Sequence, residues 1–310
     1  MPSDPASTAA ELVARFRSQR PLRAGSLIVT MFGDSILPRG GAISLGSLIQ
    51  LAAPFGLNER LVRTATARLA QEGWLETRRV GKRSEYRLTD GGRERFAEAT
   101  ERIYGPSSAA WSGRWTLVIA PALHAAQRQR LKRELGWQGF GELSSGVFAH
   151  PESAAPTADG FLAKAGLPSG TLVFEANLAW PAAAETLVGL GWDLEDLAQR
   201  YRRFAARFER VQAALHLQPD PETGYTLRTL LIHEYRRLHL RDPLLPQRLL
   251  PPEWPGIRAQ QSCRAVYAAV FAASEEHLSN VATQLDGALP PAGPAVMRRF
   301  SGIDRFPPRE

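Results

Sequence analysis

The tightest constraint on this chain is the run GLNERLVRTATARLAQEGWLETRRVGKRSEYRL over 56–88, where helix-start, helix-stop and hairpin signals follow one another at close spacing. Asn58 carries a side-chain oxygen able to satisfy the free N–H groups of a helix start, and Gly73 stands where a left-handed C-terminal cap belongs. The spacing therefore predicts a helix over about Glu59–Gln71. Stepped at about 100° per residue, that helix puts Leu61, Val62, Ala65 and Leu69 on one face and Arg60, Arg63, Thr64, Ala67 and Gln71 on the other. Arg68 lies at the edge of the outer face, one turn before Glu72, where an ion pair is expected. WLETRR and SEYRL then alternate as strands around Val80, Gly81, Lys82 and Arg83, a turn whose glycine tolerates positive φ.

Upstream, AGSLIVTMFGDSIL over Ala24–Leu37 is apolar enough for a buried helix, which Pro38, Arg39, Gly40 and Gly41 end. Ser44 is a cap for a second helix through Leu45, Leu48, Ile49 and Leu51, stopped by Pro54 and Gly56. Helix, turn, helix and hairpin make a winged helix-turn-helix, closed by a helix over Asp90–Tyr104 with Phe96 and Ile103 inward. The Gly105–Gly113 stretch, GPSSAAWSG, reads as a linker.

From Arg114 the pattern changes. WTLVIA, GVFAH and TLVFEA are short β-rich runs, with helices expected over His124–Leu135 and Phe161–Ala165 between them. Strand and helix in alternation predict a small ferredoxin-like α/β sandwich. Beyond Trp180 helical patterns take over: Leu194, Leu197, Tyr201, Phe204, Phe208, Val211 and Leu215 alternate spacings of three and four, flanked by Arg200, Arg202, Arg203, Arg207 and Arg210. That stripe faces either the Leu227, Leu230, Leu231, Leu238 helix of the same chain or its own copy in another subunit. The expected class is α+β. It comprises an N-terminal arm or short helix over 1–23, a winged helix-turn-helix domain over 24–104, a linker over 105–113, a ferredoxin-like domain over 114–179, and a helical effector and dimerisation domain over 180–310.

Charge narrows the function. The 310 residues carry a formal net charge of +7, but only three of the 38 basic residues are lysines, so part of the excess is arginine-rich composition. Its distribution says more. Between Leu57 and Arg87, Arg60, Arg63, Arg68, Arg78, Arg79, Lys82, Arg83 and Arg87 stand against Glu59, Glu72, Glu76 and Glu85. Basic side chains on the outer face of a helix after a tight turn suit a major groove, with Arg63 the first candidate for base contact and Arg60, Thr64, Arg68 and Gln71 beside it. Arg78, Arg79, Lys82 and Arg83 on a protruding hairpin suit phosphate or minor-groove contact. Double-stranded DNA is the expected partner.

Other classes find less support. The one cysteine, Cys263, cannot form an internal disulfide, and the six histidines show no paired metal-ligand spacing, so no metal and no cofactor are expected. AVYAAVFAA over 265–273 falls well short of the ~20 residues of a membrane span, and MPSDPASTAAELV lacks an export signal, so a cytoplasmic location away from the membrane is expected. A metal-dependent nuclease would need a carboxylate at the end of WTLVIAP, where Ala120 and Pro121 stand. His124 has no acid or nucleophile partner, GELSSG lacks the G-x-S-x-G elbow, and His233 and His239 miss the i, i+4 ligand spacing. No catalytic residue and no enzyme activity are expected. The alternative is a nucleic-acid-processing or RNA-associated protein using the ferredoxin-like domain, although no RNP-like aromatic strand or G-x-x-G loop is visible.

Three stretches, SLIVTMFGDSILPRGG, GLNERLVRTATARLAQEGWLETRRVGKRSEYRLT and HLRDPLLPQRLLPPEWPG, closely resemble the PaaX family of bacterial transcriptional repressors of phenylacetate catabolism. The likeness runs from about Arg20 to Phe271. It implies a winged helix, a ferredoxin-like middle domain resembling a small CRISPR-associated nuclease, and a helical C-terminal domain. It also implies a homodimer on palindromic operators that releases DNA when phenylacetyl-CoA binds. A CoA thioester needs cations for its phosphates and apolar surface for its acyl end. Arg236, Arg237 and Arg241, near Trp254, offer both and are the candidate effector-binding residues.

Overall fold

The structure is a computed structural model, which describes residues 4–105, 111–121, 123–151, 170–180 and 183–303. In chain order the elements are α1 (Pro5–Arg17), α2 (Ala24–Met31), β1 (Ala42–Ser44), α3 (Leu45–Ala52), α4 (Glu59–Gln71), β2 (Leu75–Val80), β3 (Arg83–Leu88) and α5 (Asp90–Tyr104). There follow β4 (Arg114–Ile119), α6 (Ala125–Trp137), β5 (Gly141–Ser144), β6 (Val147–Pro151), β7 (Leu172–Asn177) and α7 (Ala183–Gly191). The chain continues as α8 (Leu194–Ala214), α9 (Pro221–His239), α10 (Pro255–Val281), β8 (Thr283–Gln284) and β9 (Gly287–Ala288). Helices and sheets are both present, as an α+β chain requires. Packing groups the residues otherwise than by chain order: one unit is Met1–Pro106, Arg202–Arg237 and Ile257–Glu310, the other Ser107–Tyr201 and Leu238–Gly256.

In the first unit the local signals act where they stand. The Ser44 hydroxyl accepts the Ser47 N–H at 3.1 Å and starts α3, while the Asn58 carboxamide accepts the Leu61 N–H at 2.9 Å and starts α4. Gly73 (φ 73°) and Gly81 (φ 58°) take the left-handed backbone needed after α4 and between β2 and β3. The helix expected over Ala24–Leu37 departs from that expectation. Its α geometry stops at Met31, a π-helical turn covers Phe32–Ile36, and a 3-10 turn over Leu37–Arg39 ends at Gly40. Strand β1, which the sequence reading leaves as a turn, pairs with β3, giving an antiparallel sheet of order β1-β3-β2. Leu27, Ile28, Leu48, Leu51, Phe55 and Val62 of the N-terminal segment, like Leu227, Leu231, Val266 and Val270 of α9 and α10, are withdrawn completely from solvent. Each such side chain stabilises the fold by about 1.5–3 kcal/mol relative to an exposed position.

A charged centre lies inside this unit. The π-helical turn carries Asp34, whose carboxylate accepts from the hydroxyls of Tyr104 at 2.7 Å and Tyr267 at 3.0 Å, from Arg228 Nε at 2.7 Å and from Arg299 Nη1 at 2.7 Å. Arg228 continues to Glu275 at 2.6 Å, and Glu275 also pairs with Arg39. Both guanidiniums lie over aromatic rings, Arg228 over Tyr267 at 4.9 Å and Arg299 over Tyr104 at 4.2 Å. Burial raises the Asp34 carboxyl, but the attraction of Arg228 and Arg299 and the bonds from Tyr104 and Arg228 together outweigh it and hold the group below the ordinary carboxylate range. Of the expected apolar stripe, Leu197, Tyr201, Phe204, Phe208 and Val211 of α8 are buried while Leu194 and Leu215 at its ends are half-buried, and Phe204 meets Tyr235 of α9 with ring centroids 5.5 Å apart.

The second unit is built on a sheet of order β5-β6-β4-β7 with every neighbouring pair antiparallel. Val118 and Phe148 pack with Leu131 and Leu135 of α6 on one face, while Trp115 and Ala149 pack with Ala184 and Val188 of α7 and with Leu245 and Leu249 on the other. Strand β5 adds to the three strands expected here. Its sequence, GELS, is short and half-exposed, so it carries no apolar alternation of its own. The expected helix over Phe161–Ala165 and part of the expected linker, residues 106–110, lie outside the described residues.

Candidate nucleic-acid interface

The α4 helix separates its two faces as its periodicity requires. Val62, Ala65 and Leu69 are buried and Leu61 is half-buried, while Arg60, Arg63, Thr64, Arg68 and Gln71 are exposed. Thr66 joins the buried face because its hydroxyl donates back to the Val62 and Arg63 carbonyls at 3.0 and 3.1 Å, which satisfies a polar group that burial would otherwise penalise. The junction after the helix is fixed by Trp74, whose ring meets Phe96 edge-on at 5.4 Å and carries the Arg95 guanidinium over its face at 5.0 Å. Strand β2 then projects into solvent, with Leu75 its buried residue, and Arg78, Arg79, Lys82 and Arg83 are all exposed on the hairpin.

All nine residues singled out for DNA contact therefore stand on accessible surface of one contiguous segment. They differ in what else they touch. Arg63 is held by Glu59 one turn earlier (2.6 Å) and Arg68 by Glu72 one turn later (2.7 Å), the second pair as expected. Thr64 donates its hydroxyl to the Arg60 carbonyl at 2.8 Å. Arg78 is bonded to Asp286, which lies in the turn between β8 and β9. For Arg60, Arg79, Lys82 and Arg83 no ion pair is formed among the described residues. The net effect is a positively charged strip with some of its arginines already oriented by a carboxylate.

The β8–β9 hairpin is the part of this surface that sequence reasoning missed. The Asp-Gly dipeptide at 286–287 marks a turn in the sequence, but the register pairs Gln284 with Gly287, so Leu285 and Asp286 form the two-residue loop and Gly287 opens β9. What the sequence does not carry is its destination: β8 lies against β1, beside the N-terminus of α3.

The residues considered for an effector fall into separate parts of the structure. Arg236 donates to the carbonyl and hydroxyl of Ser26 at 3.1 and 2.9 Å, and Arg237 reaches Gln19 at 3.4 Å, all in the first unit. Arg241 and Trp254 belong to the second unit, where Arg241 is exposed and Trp254 is buried, its ring packed edge-on against Tyr201 at 6.0 Å. That unit also holds a cavity of about 850 Å³, walled by Phe140, Phe148, Val188 and Trp192. Its polar lining is Lys132 and Arg248 against Glu142, Glu185, Asp193 and Glu195, and Lys132 is already paired with Glu142 at 2.6 Å. Such a wall suits an apolar group better than a polyanion.

Two of the singled-out histidines make local contacts. His124 precedes α6 and donates its N–H to Gln127 at 3.1 Å, and His233 is buried with its Nδ1 3.2 Å from the Thr30 hydroxyl. Among the described residues, no group of three His, Cys, Asp or Glu side chains is placed to hold a metal ion, and no helix is long and apolar enough to cross a membrane.

With this geometry in place, comparison with known proteins gives the following. Residues 23–92 match the PaaX-like protein family, residues 108–188 match the PaaX protein central Cas2-like domain, and residues 192–280 match the PaaX-like protein C-terminal domain. Transcriptional repressor PaaX of Escherichia coli (strain K12) is 37% identical over 290 residues, which cover 92% of either chain. Among solved structures, the uncharacterized protein Rv0674 from Mycobacterium tuberculosis is 26% identical, with 73% of this chain and 89% of that chain covered and a TM-score of 0.47.

Proposed function

The chain belongs to the PaaX family, and from that premise we propose that it is a DNA-binding transcriptional repressor of an aromatic catabolic operon, that of phenylacetate, released from its operator by an aryl-acyl-CoA such as phenylacetyl-CoA. The observation that carries this reading is the exposed face of α4, with Arg60, Arg63, Thr64 and Gln71, followed at once by the exposed Arg79, Lys82 and Arg83 of the hairpin. In this reading α3, its turn and α4 form a helix-turn-helix and β2–β3 is the wing. Helix α4 enters the major groove, where Arg63 exchanges Glu59 for a guanine edge, flanked by Arg60, Thr64, Arg68 and Gln71. Arg78, Arg79, Lys82 and Arg83 contact phosphates and supply affinity that falls with salt. The repressor acts in the cytoplasm as a homodimer, so that two α4 helices meet half-sites about 34–36 Å apart on a palindrome.

The chain order of roles is the one set out from the sequence: winged helix over 24–104, linker over 105–113, ferredoxin-like domain over 114–179, helical effector and dimerisation domain over 180–310. The sheet order β5-β6-β4-β7, antiparallel throughout, supports the ferredoxin-like reading of the middle segment. For the thioester, Arg236, Arg237 and Arg241 with Trp254 remain the candidates. The carboxylate-rich cavity beside Trp192 is assigned no part of the phosphate binding. The protein is a regulator that needs neither a catalytic residue nor a cofactor.

The test is fluorescence-anisotropy binding of the full chain to the region upstream of its own operon, at two salt concentrations, with and without phenylacetyl-CoA. Specific binding abolished by the thioester, and unaffected by free phenylacetate or free CoA, is the expected result. Binding indifferent to the thioester removes the effector from the proposal, and no preference over random duplex removes the repressor.

A further inference from the structure

The turn of the β8–β9 hairpin brings a carboxylate onto the wing from 208 positions further along the chain. Its place is built: the three residues before it are each tied down by a hydrogen bond. Thr283 N–H donates to the Ser47 hydroxyl at 2.9 Å, the Gln284 carboxamide donates to the Ala42 carbonyl at 3.2 Å, and Leu285 N–H donates to Glu85 at 2.9 Å. Glu85 is buried and pairs across the sheet with Arg78, so the anchored hairpin delivers the next residue, Asp286, to the Arg78 guanidinium. The two bonds, at 2.6 and 3.4 Å, approach the fork geometry that arginine offers equally to a carboxylate and to a phosphate. Arg83 and Arg87 add positive charge around the same carboxylate. Yet the pair is open to solvent, with the Arg78 side chain 47% and the Asp286 side chain 69% exposed. An exposed pair of this kind is held weakly and is screened by salt, so a competing anion can take its place.

We infer that the β8–β9 turn belongs to the duplex-facing surface and that Asp286 sits, in the free protein, in a seat on the wing that a DNA phosphate takes in the complex. This rests on the repressor reading above and deepens it. Asp286 is a resident counter-charge that duplex of any sequence must displace from Arg78. It lowers the sequence-independent affinity contributed by phosphates and leaves the base contacts of α4 untouched.

Anisotropy titrations of the full-length protein with operator and random duplex, over a series of salt concentrations, test this. Asp286→Asn is expected to tighten binding to both duplexes by roughly two- to fivefold at low salt and to steepen the salt dependence by up to about one unit of slope. Asp286→Ser should act in the same direction, and adding Arg78→Ala to Asp286→Asn should erase the gain. Unchanged binding in Asp286→Asn overturns the seat. So does binding weakened as far as Arg78→Ala weakens it, since Asp286 would then be positioning Arg78 for contact. Wild-type protein without salt-dependent duplex binding overturns the repressor reading and the seat together, an outcome separate from both.

Discussion

Replacing Asp34 by asparagine keeps the shape of the side chain and removes the one anion that, among the described residues, pairs with both Arg228 and Arg299. In the wild type this carboxylate, 2% exposed, accepts charge-assisted or hydroxyl bonds from Tyr104, Tyr267, Arg228 and Arg299, and a longer one from the Ser35 hydroxyl at 3.4 Å. The amide retains one acceptor oxygen and turns two N–H donors toward groups that are themselves donors. Arg228, fully buried, keeps Glu275, whereas among the described residues Arg299 keeps backbone carbonyls, the Tyr267 hydroxyl and the Tyr104 ring. Removing one partner of a buried ion pair costs about 3–5 kcal/mol, which is a large share of the stability of an ordinary domain. At about 2–4 °C per kcal/mol for a chain of this size class, the melting temperature should fall by roughly 6–20 °C. Urea unfolding followed by circular dichroism should show a lower midpoint at unchanged slope. The pH dependence adds a second, independent arm. The folded-state pKa of Asp34 lies below its unfolded value near 3.8, so its stabilisation is fully present above that unfolded value and is lost as pH falls through the folded one. The gap between wild type and Asp34→Asn should therefore be constant from neutral pH down to about 5 and should close in stronger acid. A loss under about 1 kcal/mol, or a gap that does not narrow in acid, would refute the account of Asp34 as the anchor of this centre.

Three further outcomes are expected. Asn58→Ala removes the side-chain cap of α4 and should lower stability by about 1 kcal/mol, measured by urea unfolding, with Asn58→Asp retaining most of it. Arg63→Ala should cost about 1–3 kcal/mol of operator binding and relax preference at one base pair, whereas Lys82→Ala should weaken operator and random duplex alike, as read by anisotropy with single-base operator variants. His233 is buried, and burial with the nearby Arg236 and Arg237 charges pushes its pKa down to about 3, so the folded chain leaves it neutral while the unfolded chain protonates it below about 6.5. His233 should then make stability fall as pH drops from about 6.5 toward 3, by at most about 1.4 kcal/mol per pH unit, and His233→Gln should reduce the slope to the part left by His277, whose pKa burial also lowers. An unaltered slope in the variant places the titrating group elsewhere.

What could be read from the sequence was local. The caps of Ser44 and Asn58, the glycines at 73 and 81, the bounds of α5 and the split of α4 into a buried and a basic face all depend on neighbours within one or two turns, and the structure has them where the spacing puts them. The signals failed where an element draws its stability from afar. Strand β1 is three residues of AIS, with no alternation long enough to register, and exists because β3 offers it a ladder. Strand β5 is the same case beside β6. The turn at Phe32–Ile36 reads as ordinary apolar helix, since a π-helical turn has no period of its own to detect.

Charge shows the same division more sharply. The i, i+4 pair Arg68–Glu72 follows from counting along one helix. Asp34 and Asp286 do not, because their partners Arg228 and Arg78 are 194 and 208 positions away. Sequence distance, nearly equal for the two, does not explain why these aspartates mean different things; their surroundings do. Asp34 is buried, so its charge must be matched by groups that cannot leave, and the fold loses about 3–5 kcal/mol without it. Asp286 is exposed, so its bond to Arg78 costs little to exchange, and the fold would lose little were a phosphate to take its place as proposed. Burial, rather than the residue type or the length of the loop that closes, separates an ion pair that fixes the structure from one that a partner can use. For this chain, then, the arginines worth mutating first for the proposed DNA binding are those whose carboxylates remain in solvent, Arg63, Arg68 and Arg78.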